Sequence, residues 1–258
     1  MKHLLAALAL GAASLSSTAA SAQGPKPTVV LVHGAFADAS SWNGVIRILE
    51  KDGYPVVAVA NPLRGVASDG AYVGDLINGV GKPVVLVGHS YGGSVITEAA
   101  RDRSNVKALV FVSAFAPDAG ETAAGLSGKF PGSTLGPAIA PPVKLSTGGN
   151  DLYIQQDKFH QQFAADVPKA DAALMAATQR PITEAALNEK SGAPSWTGIP
   201  SWFVYGDKDL NIPPKALAFM AERAKSRKTD VVAGASHVVM VSHPDVVARL
   251  IERAAEAK

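Results

Sequence analysis

The feature that most constrains this chain is a serine that stands between two glycines directly after an apolar run. Residues 84–87 are Val, Val, Leu and Val, a composition typical of a strand buried on both faces. Residues 88–92 then read Gly-His-Ser-Tyr-Gly, and a helical pattern follows over residues 94–100. A strand, a serine-bearing turn and a helix form a nucleophile elbow, in which the flanking glycines let the chain pass without a side-chain clash. The sequence therefore predicts that Ser90 is a nucleophile, with its hydroxyl held clear of a buried sheet.

The first 22 residues differ in character from the rest of the chain. Lys2 precedes an apolar stretch over residues 4–15, and residues 20–22 (Ala-Ser-Ala) form a small-residue cleavage signal. The apolar stretch is too short to span a bilayer, so residues 1–22 are interpreted as a signal peptide and Gln23 as the start of the mature protein. The alternative is a disordered or anchoring N-terminus. Because this segment has no twin arginine, we expect the general secretory route, with a periplasmic or secreted product.

Composition excludes several classes of function. The 258 residues contain no cysteine, so neither a disulfide nor a thiolate nucleophile is available. The formal net charge is only +2 and the sequence has no basic patch, so no nucleic-acid partner is expected. No stretch after the signal peptide resembles a membrane span. The remaining residues, 23–258, are enough for one domain with a large core.

Short apolar runs alternate with helical patterns in two parts of the chain. We expect strands at 28–32, 54–59, 84–87, 106–112, 201–205 and 230–233, and helices at 40–51, 71–80, 213–224 and 244–255, besides the helix after Ser90. This alternation predicts an α/β domain with a mostly parallel sheet flanked by helices.

Between these two parts, over residues 118–196, the alternation stops. A stretch rich in Gly, Pro and Ser (130–149) is followed by helical patterns around 157–165, 170–177 and 183–189. We interpret this insertion as a helical cap on a core made of residues 27–117 and 197–258. A ligand is then expected beneath the cap, at the carboxyl ends of the strands.

A serine nucleophile needs a base, and in this arrangement the base comes last in the chain, on a loop after a strand. His237 meets this condition, because it follows the predicted strand 230–233. The other histidines fit less well: His3 lies in the signal peptide, His33 and His89 precede the serine, His160 lies in the cap and His243 stands before a helix. We therefore take His237 as the base.

Two carboxylates compete for the role of the acid that orients the base. Asp207 follows the predicted strand 201–205 at once, and an aspartate there often binds backbone amides within the turn. Asp209 stands further out, where the loop can direct it towards His237. We favour Asp209, with Asp207 as the alternative.

Acyl transfer also needs donors for the developing oxyanion. We expect the amide of Tyr91, directly after the nucleophile, and the amide of Ala35, on the loop after the first strand. Aromatic residues are candidates for an apolar substrate pocket, although each is nearly as well explained as core: Phe36, Trp42, Phe115 and Tyr153.

These motifs together resemble the α/β-hydrolase superfamily over nearly the whole mature chain. The sequence is most similar to a branch that contains plant methylesterases, a salicylate-binding methyl-salicylate esterase and hydroxynitrile lyases. The likeness is carried by residues 30–36, 85–93 and 110–118, and by Asp209, which stands shortly before Ile212-Pro213. The resemblance implies an α/β-hydrolase fold with a triad of Ser90, Asp209 and His237, and oxyanion amides from Ala35 and Tyr91. Such a site needs no metal or organic cofactor.

The resemblance also bears on the type of reaction. Hydroxynitrile lyases of this branch place a threonine after the first-strand histidine and a lysine after the base, where this chain has Gly34 and Val238. Hydrolases with an aspartate nucleophile are excluded by Ser90. We therefore expect a hydrolase of small carboxylic esters, with an ester as its small-molecule partner. A ligand-binding protein with negligible turnover, a lyase and a cofactor-free oxygenase stay open as alternatives, and the oligomeric state is left open.

Overall fold

The structure is a computed structural model that describes residues 25–257. The predicted signal peptide and the expected mature start at Gln23 lie outside the described residues. The strands are β1 (Thr28–Val32), β2 (Val56–Val59), β3 (Val84–His89), β4 (Val106–Val112), β5 (Val143–Lys144), β6 (Asn150–Leu152), β7 (Ile182–Thr183), β8 (Ser201–Gly206) and β9 (Lys228–Val232). The helices are α1 (Asn43–Lys51), α2 (Val66–Val80), α3 (Gly92–Ala99), α4 (Ala123–Gly128), α5 (Leu135–Ala138), α6 (Gln156–Phe163), α7 (Lys169–Thr178), α8 (Glu184–Asn188), α9 (Pro214–Arg223), α10 (Val239–Ser242) and α11 (Pro244–Glu256).

A six-stranded sheet in the order β2-β1-β3-β4-β8-β9 forms the centre of the molecule. Every neighbouring pair in it is parallel. Strands β1 and β3 are buried along their whole length, as expected for apolar runs covered on both faces of a parallel sheet. The predicted α/β fold with a parallel sheet flanked by helices is confirmed.

The flanking helices pack on the core through faces made of apolar residues. In α11, Val247, Leu250, Ile251 and Ala254 recur three or four residues apart, and all four are buried, which is the pattern of one helix face turned to the core. That helix packs against α1, and α2 packs against α3. None of the described helices combines the length and the apolar composition needed to cross a membrane.

The order of the strands determines where a site can form. From β1 the chain passes to β2 on one side, and β3 then pairs with β1 on its other side. The loops after β1 and β3 therefore diverge and leave a crevice at the carboxyl ends of the strands. Ser90 and the loop that contains Ala35 both lie at this crevice.

The cap lies between β4 and β8 and contains α4 to α8. It was expected to be helical, but it also contains a three-stranded antiparallel sheet in the order β5-β6-β7. These strands are two or three residues long, too short for an alternating pattern to be recognised in the sequence.

Two helix starts also differ from the predictions. The helix expected from residue 40 begins with a 3-10 turn over Ala39–Trp42, capped by Asp38, so α1 starts at Asn43. Helix α2 starts at Val66, five residues before the predicted 71. Its first amide donates a hydrogen bond at 2.6 Å to the side chain of Glu189. The N-terminus of this helix is therefore stabilised by a residue of the cap insertion, far away in the sequence.

Candidate active site

Ser90 occupies the turn between β3 and α3 with a φ of +53°, in the left-handed region that a side chain adopts only at a cost. A Cβ on Gly88 would lie 2.5 Å from the carbonyl oxygen of Gly92, and a Cβ on Gly92 would lie 2.4 Å from that of Val32. Neither position therefore accepts another residue without movement of the backbone. The turn is the sharp one that the Gly-x-Ser-x-Gly spacing predicts.

His237 and Asp209 form a buried pair. The Nδ1 atom of His237 lies 2.7 Å from Oδ2 of Asp209, and both side chains are at most 1% exposed. The other carboxylate oxygen of Asp209 accepts from the amides of Asn211 at 2.8 Å and Ile212 at 2.9 Å. A carboxylate held in this way accepts the Nδ1 proton of the imidazole, which leaves Nε2 as the nitrogen that can take up a further proton.

The other candidate acid has different partners. Asp207 accepts from the amide of Gly234 at 2.7 Å, and its own amide donates to the carbonyl of Val232 at 3.1 Å. Asp207 therefore connects the turn after β8 to the end of β9 through hydrogen bonds. The structure brings Asp209, and not Asp207, to His237.

The loop after β1 packs directly on the elbow. A Cβ on Gly34 would lie 2.6 Å from Cβ of Ser90 and 2.7 Å from the carbonyl oxygen of His89, so only glycine fits there. The next residue, Ala35, and Tyr91 both line the cavity, and within residues 25–257 neither backbone amide donates a hydrogen bond to another residue. Both amides are therefore free to bind an oxygen of a ligand.

The side chain of Tyr91 is fully buried and held by a hydrogen bond. Its hydroxyl donates to Oδ2 of the buried Asp69 at 3.1 Å, and burial raises the pKa of both groups. Asp69 also accepts from the amide of Arg64 at 3.1 Å. The residue after the serine is thus anchored by a buried hydrogen-bond network.

A cavity of about 350 Å³ lies between these loops and the cap. The predicted site residues that line it are Ala35, Phe36, Ser90, Tyr91, Phe115 and His237. Much of the cap side is apolar and includes Leu135, Ile139, Leu152, Phe163 and Leu187. The two remaining pocket candidates, Trp42 and Tyr153, do not line this cavity, and Trp42 is buried with its ring packed edge-on against His89.

Two further buried histidines form hydrogen bonds with backbone groups near the site. His33 is buried, its Nε2 accepts from the amide of Asn61 at 3.1 Å, and its Nδ1 donates to the carbonyl of Gly34 at 2.9 Å. Burial lowers the pKa of His33 to about 4. His89 donates from Nε2 to the carbonyl oxygen of His237 at 3.2 Å, and burial holds the pKa of His89 well below its ordinary value. Both imidazoles are therefore neutral supports of the backbone near the site.

Three residues of the site were missed by the sequence reasoning. The ring of Phe163, from the cap, packs against that of His237 with centroids 5.1 Å apart. Asp166, also from the cap, accepts from the amide of Ser236 at 3.1 Å and from its hydroxyl. Asn211 lines the cavity two residues after Asp209, a spacing that could have drawn attention to it. Nothing in the sequence distinguishes Phe163 or Asp166 from other cap residues.

No group of three or more histidine, aspartate or glutamate side chains is placed to hold a metal ion among residues 25–257. The chemistry that the arrangement offers is a serine, an imidazole and two free amides around one cavity.

The family model of the alpha/beta hydrolase family matches residues 29–250. The chain therefore belongs to the α/β-hydrolase family.

Relatives and solved structures agree with this assignment. The chain is 27% identical over 252 residues to the alpha/beta hydrolase nvfD of Aspergillus novofumigatus, covering 89% of this chain and 97% of that protein. It is 27% identical over 237 residues to the alpha-hydroxynitrile lyase of Arabidopsis thaliana, covering 83% and 92%. The crystal structure of polyneuridine aldehyde esterase has the same fold, with a TM-score of 0.76 at 19% identity over 88% of this chain and 98% of that one. The predicted resemblance to the esterase and hydroxynitrile lyase branch is confirmed.

Proposed function

We propose that this protein is a carboxylic-ester hydrolase that works through an acyl-enzyme on Ser90. The observation that carries the proposal is the buried pair of His237 and Asp209, 2.7 Å apart, whose imidazole lines the same cavity as the strained serine. A nucleophile, a base and an orienting acid on three separate loops are the parts that acyl transfer requires.

The first half of the reaction begins at Ser90. As its oxygen attacks the ester carbonyl, Nε2 of His237 takes the hydroxyl proton. Asp209 fixes the tautomer and stabilises the imidazolium, and its two hydrogen bonds from backbone amides hold the carboxylate in position. Asp209 therefore orients the base without taking the proton itself.

The amides of Ala35 and Tyr91 stabilise the charge that develops on the carbonyl oxygen. Both are free of other acceptors among the described residues, so they need no rearrangement when the tetrahedral intermediate forms. His237 then protonates the leaving alcohol, and water repeats the sequence on the acyl-enzyme to release the acid.

The residues around the base favour hydrolysis over cyanohydrin cleavage. Departing cyanide needs a positive charge or a proton donor close by, whereas Val238, next to the base, is apolar and fully buried. Since one relative is a hydroxynitrile lyase, mandelonitrile is the substrate that separates the two reactions. We expect no cleavage above the uncatalysed rate, and release of cyanide faster than hydrolysis of p-nitrophenyl acetate would contradict the proposal.

The direct test is turnover and labelling of Ser90. The protein should release a burst of p-nitrophenol from p-nitrophenyl acetate, and a fluorophosphonate should label Ser90. Ser90→Ala should abolish both, with kcat lower by a factor on the order of 10⁶. Ser94→Ala is the matched control, because Ser94 is also buried and lies outside the cavity. A folded protein that binds esters but shows neither burst nor labelling would be a ligand-binding protein instead.

The proposal includes export, which rests on the composition of residues 1–22 alone. N-terminal sequencing of protein from the export compartment should give Gln23 or a residue next to it as the first residue. Recovery of the full-length chain from the cytoplasmic fraction would refute it.

A further inference from the structure

One polar group in the cavity wall has no role in the proposed chemistry. Asn211 is 3% exposed and lines the cavity together with Ser90 and His237. Its side-chain Nδ2 is buried and has no hydrogen-bond partner among residues 25–257. A buried donor without a partner costs free energy, so each such group in a folded protein needs an explanation.

The orientation of this amide is fixed by a chain of hydrogen bonds from the cap. Nε2 of Gln162 donates to the carbonyl of Leu210 at 3.0 Å and to Oδ1 of Asn211 at 2.7 Å. A backbone carbonyl can only accept, so the end of Gln162 that faces Leu210 must be its NH₂ group. The end of Asn211 that faces the same NH₂ group must then be its oxygen. The free end of Asn211 is therefore the NH₂ group, whatever ligand is bound.

Neighbouring groups hold Asn211 in place. The hydroxyl of Ser127 donates to the backbone carbonyl of Asn211 at 2.8 Å, and Thr134 donates to Oε1 of Gln162 at 2.8 Å. Ser127 and Ser133 also line the cavity, next to apolar residues such as Leu135. An unpartnered donor in the wall of a mostly apolar cavity, reached by a small movement of its side chain, can recognise one polar atom of a ligand.

We propose that Nδ2 of Asn211 is a specificity determinant that donates a hydrogen bond to an oxygen acceptor on the substrate, outside the reacting ester group. The preferred substrates are then small esters whose acyl or alkoxy chain carries an ether, hydroxyl or keto oxygen. This inference rests on the proposed ester hydrolysis for its turnover measurement, but not for its binding measurement.

The experiment uses esters of equal shape. Methyl heptanoate and hexyl acetate are the parent compounds, and in each isostere one chain methylene that is not bonded to the ester group is replaced by an ether oxygen, position by position. The value of kcat/KM is measured for the unmodified protein and for Asn211→Leu. Dissociation constants are measured by calorimetry for Ser90→Ala with and without Asn211→Leu, so that binding is measured without turnover.

We expect at least one ether isostere to exceed its parent about tenfold in kcat/KM and in affinity, and Asn211→Leu to bring the ratio of isostere to parent close to one, whatever its effect on the parent ester alone. Asn211→Asp is the second variant, because it keeps the shape and the oxygen that faces Gln162 but replaces the free donor by an acceptor. It should lose the same preference. Ser191→Ala is the control, since it removes another buried side-chain atom without a partner among the described residues, away from the cavity, and should leave the preference intact.

The possible results separate the two proposals. If the isosteres are preferred in binding but no ester is turned over, the subsite stands and ester hydrolysis is wrong. If esters are turned over and no isostere is preferred by the unmodified protein, the subsite is wrong, and this result needs no variant. An equal loss for isostere and parent in Asn211→Leu would likewise assign Asn211 a purely structural role.

Discussion

The two walls of the cavity are held in place in different ways. The core wall consists of loops that leave the ends of β1, β3, β8 and β9, in a parallel sheet in which β1 and β3 are fully buried. The cap wall consists of short elements such as α5, with four residues, and β6, with three. Burial on both faces stabilises the core wall, whereas the cap depends more on individual polar contacts.

Two of these polar contacts between cap and core are ion pairs. Arg64 pairs with Asp151 at 2.6 Å, and Arg223 pairs with Glu121 at 2.7 Å. The partners are partly exposed, and pairs of this kind contribute about 0–1 kcal/mol each.

The difference shows which task needs rigidity. The proposed acyl transfer requires the nucleophile, base and oxyanion donors to be placed within about 0.5 Å, and all the residues proposed for these roles come from the core. Contact with the substrate chain tolerates more movement, and the cap supplies much of it. Changes in the core wall should therefore alter kcat, and changes in the cap should alter KM.

The largest effect is expected within the core wall, between two aspartates of one loop. Asp209→Asn should lower kcat by a factor on the order of 10⁴, because the imidazole loses the partner that fixes its tautomer. Asp207→Asn changes a residue that binds the amide of Gly234 and should have a far smaller effect. Steady-state kinetics on the two folded variants checks this, and the opposite ranking would give Asp207 the role of the acid.

A pair of glycines tests the two walls directly. Gly34→Ala places a Cβ 2.6 Å from that of Ser90, so the elbow must shift, and kcat should fall about 100-fold. Gly136, in the cap wall of the same cavity, has nothing within 4 Å of an added Cβ, and Gly136→Ala should stay within about twofold of the parent. Kinetics and thermal unfolding of both variants measure this, and equal losses would show that the walls are equally rigid.

The buried His33 makes the stability of the core depend on pH. Its pKa is lowered from 6.5 to about 4 in the folded protein, so between these values the unfolded chain binds a proton that the folded state does not. Stability is therefore lost as the pH falls from about 6.5 to about 4. The free energy of unfolding of the parent should fall by about 3 kcal/mol more than that of His33→Asn between pH 7 and pH 4. Urea titrations at several pH values measure the difference, and parallel curves would show that His33 is not the group responsible.

The smallest effect is expected where the cap is attached to the core. Arg64→Ala removes the ion pair with Asp151 and a hydrogen bond to the carbonyl of Pro181. We expect KM to rise severalfold, with kcat within about twofold of the parent. Arg249→Ala is the matched control, because it breaks an exposed pair with Asp245 on the core, away from the cavity. A loss confined to kcat in Arg64→Ala would contradict the division of tasks between the walls.

The same division explains what could be predicted from the sequence. Strands β1 and β4 begin and end at the predicted residues, because both are mostly apolar runs, buried except for Lys107 in β4, and such runs can be recognised from composition. The start of α2 could not be found, since its first amide binds Glu189, more than a hundred residues away. The cap sheet was missed because two-residue strands have no periodicity.

The site shows a similar contrast. Ser90 and His237 were recognisable because each follows an apolar strand, and the order of serine, acid and base restricts the choice. The geometry of the loop distinguishes Asp209 from Asp207, which their positions in the sequence left open. Phe163 and Asp166 reach the base only through the folding of the cap, so local sequence could not reveal them.

The hydrogen bonds from Ser236 to Asp166 have a consequence for the size of the ligand. Ser236 directly precedes His237 and is held by a carboxylate of the cap. A substrate that displaces this part of the cap also releases the segment that carries the imidazole. Oversized esters should therefore lose both binding affinity and the alignment of the base. The cap would then limit the length of the substrate as well as cover the site.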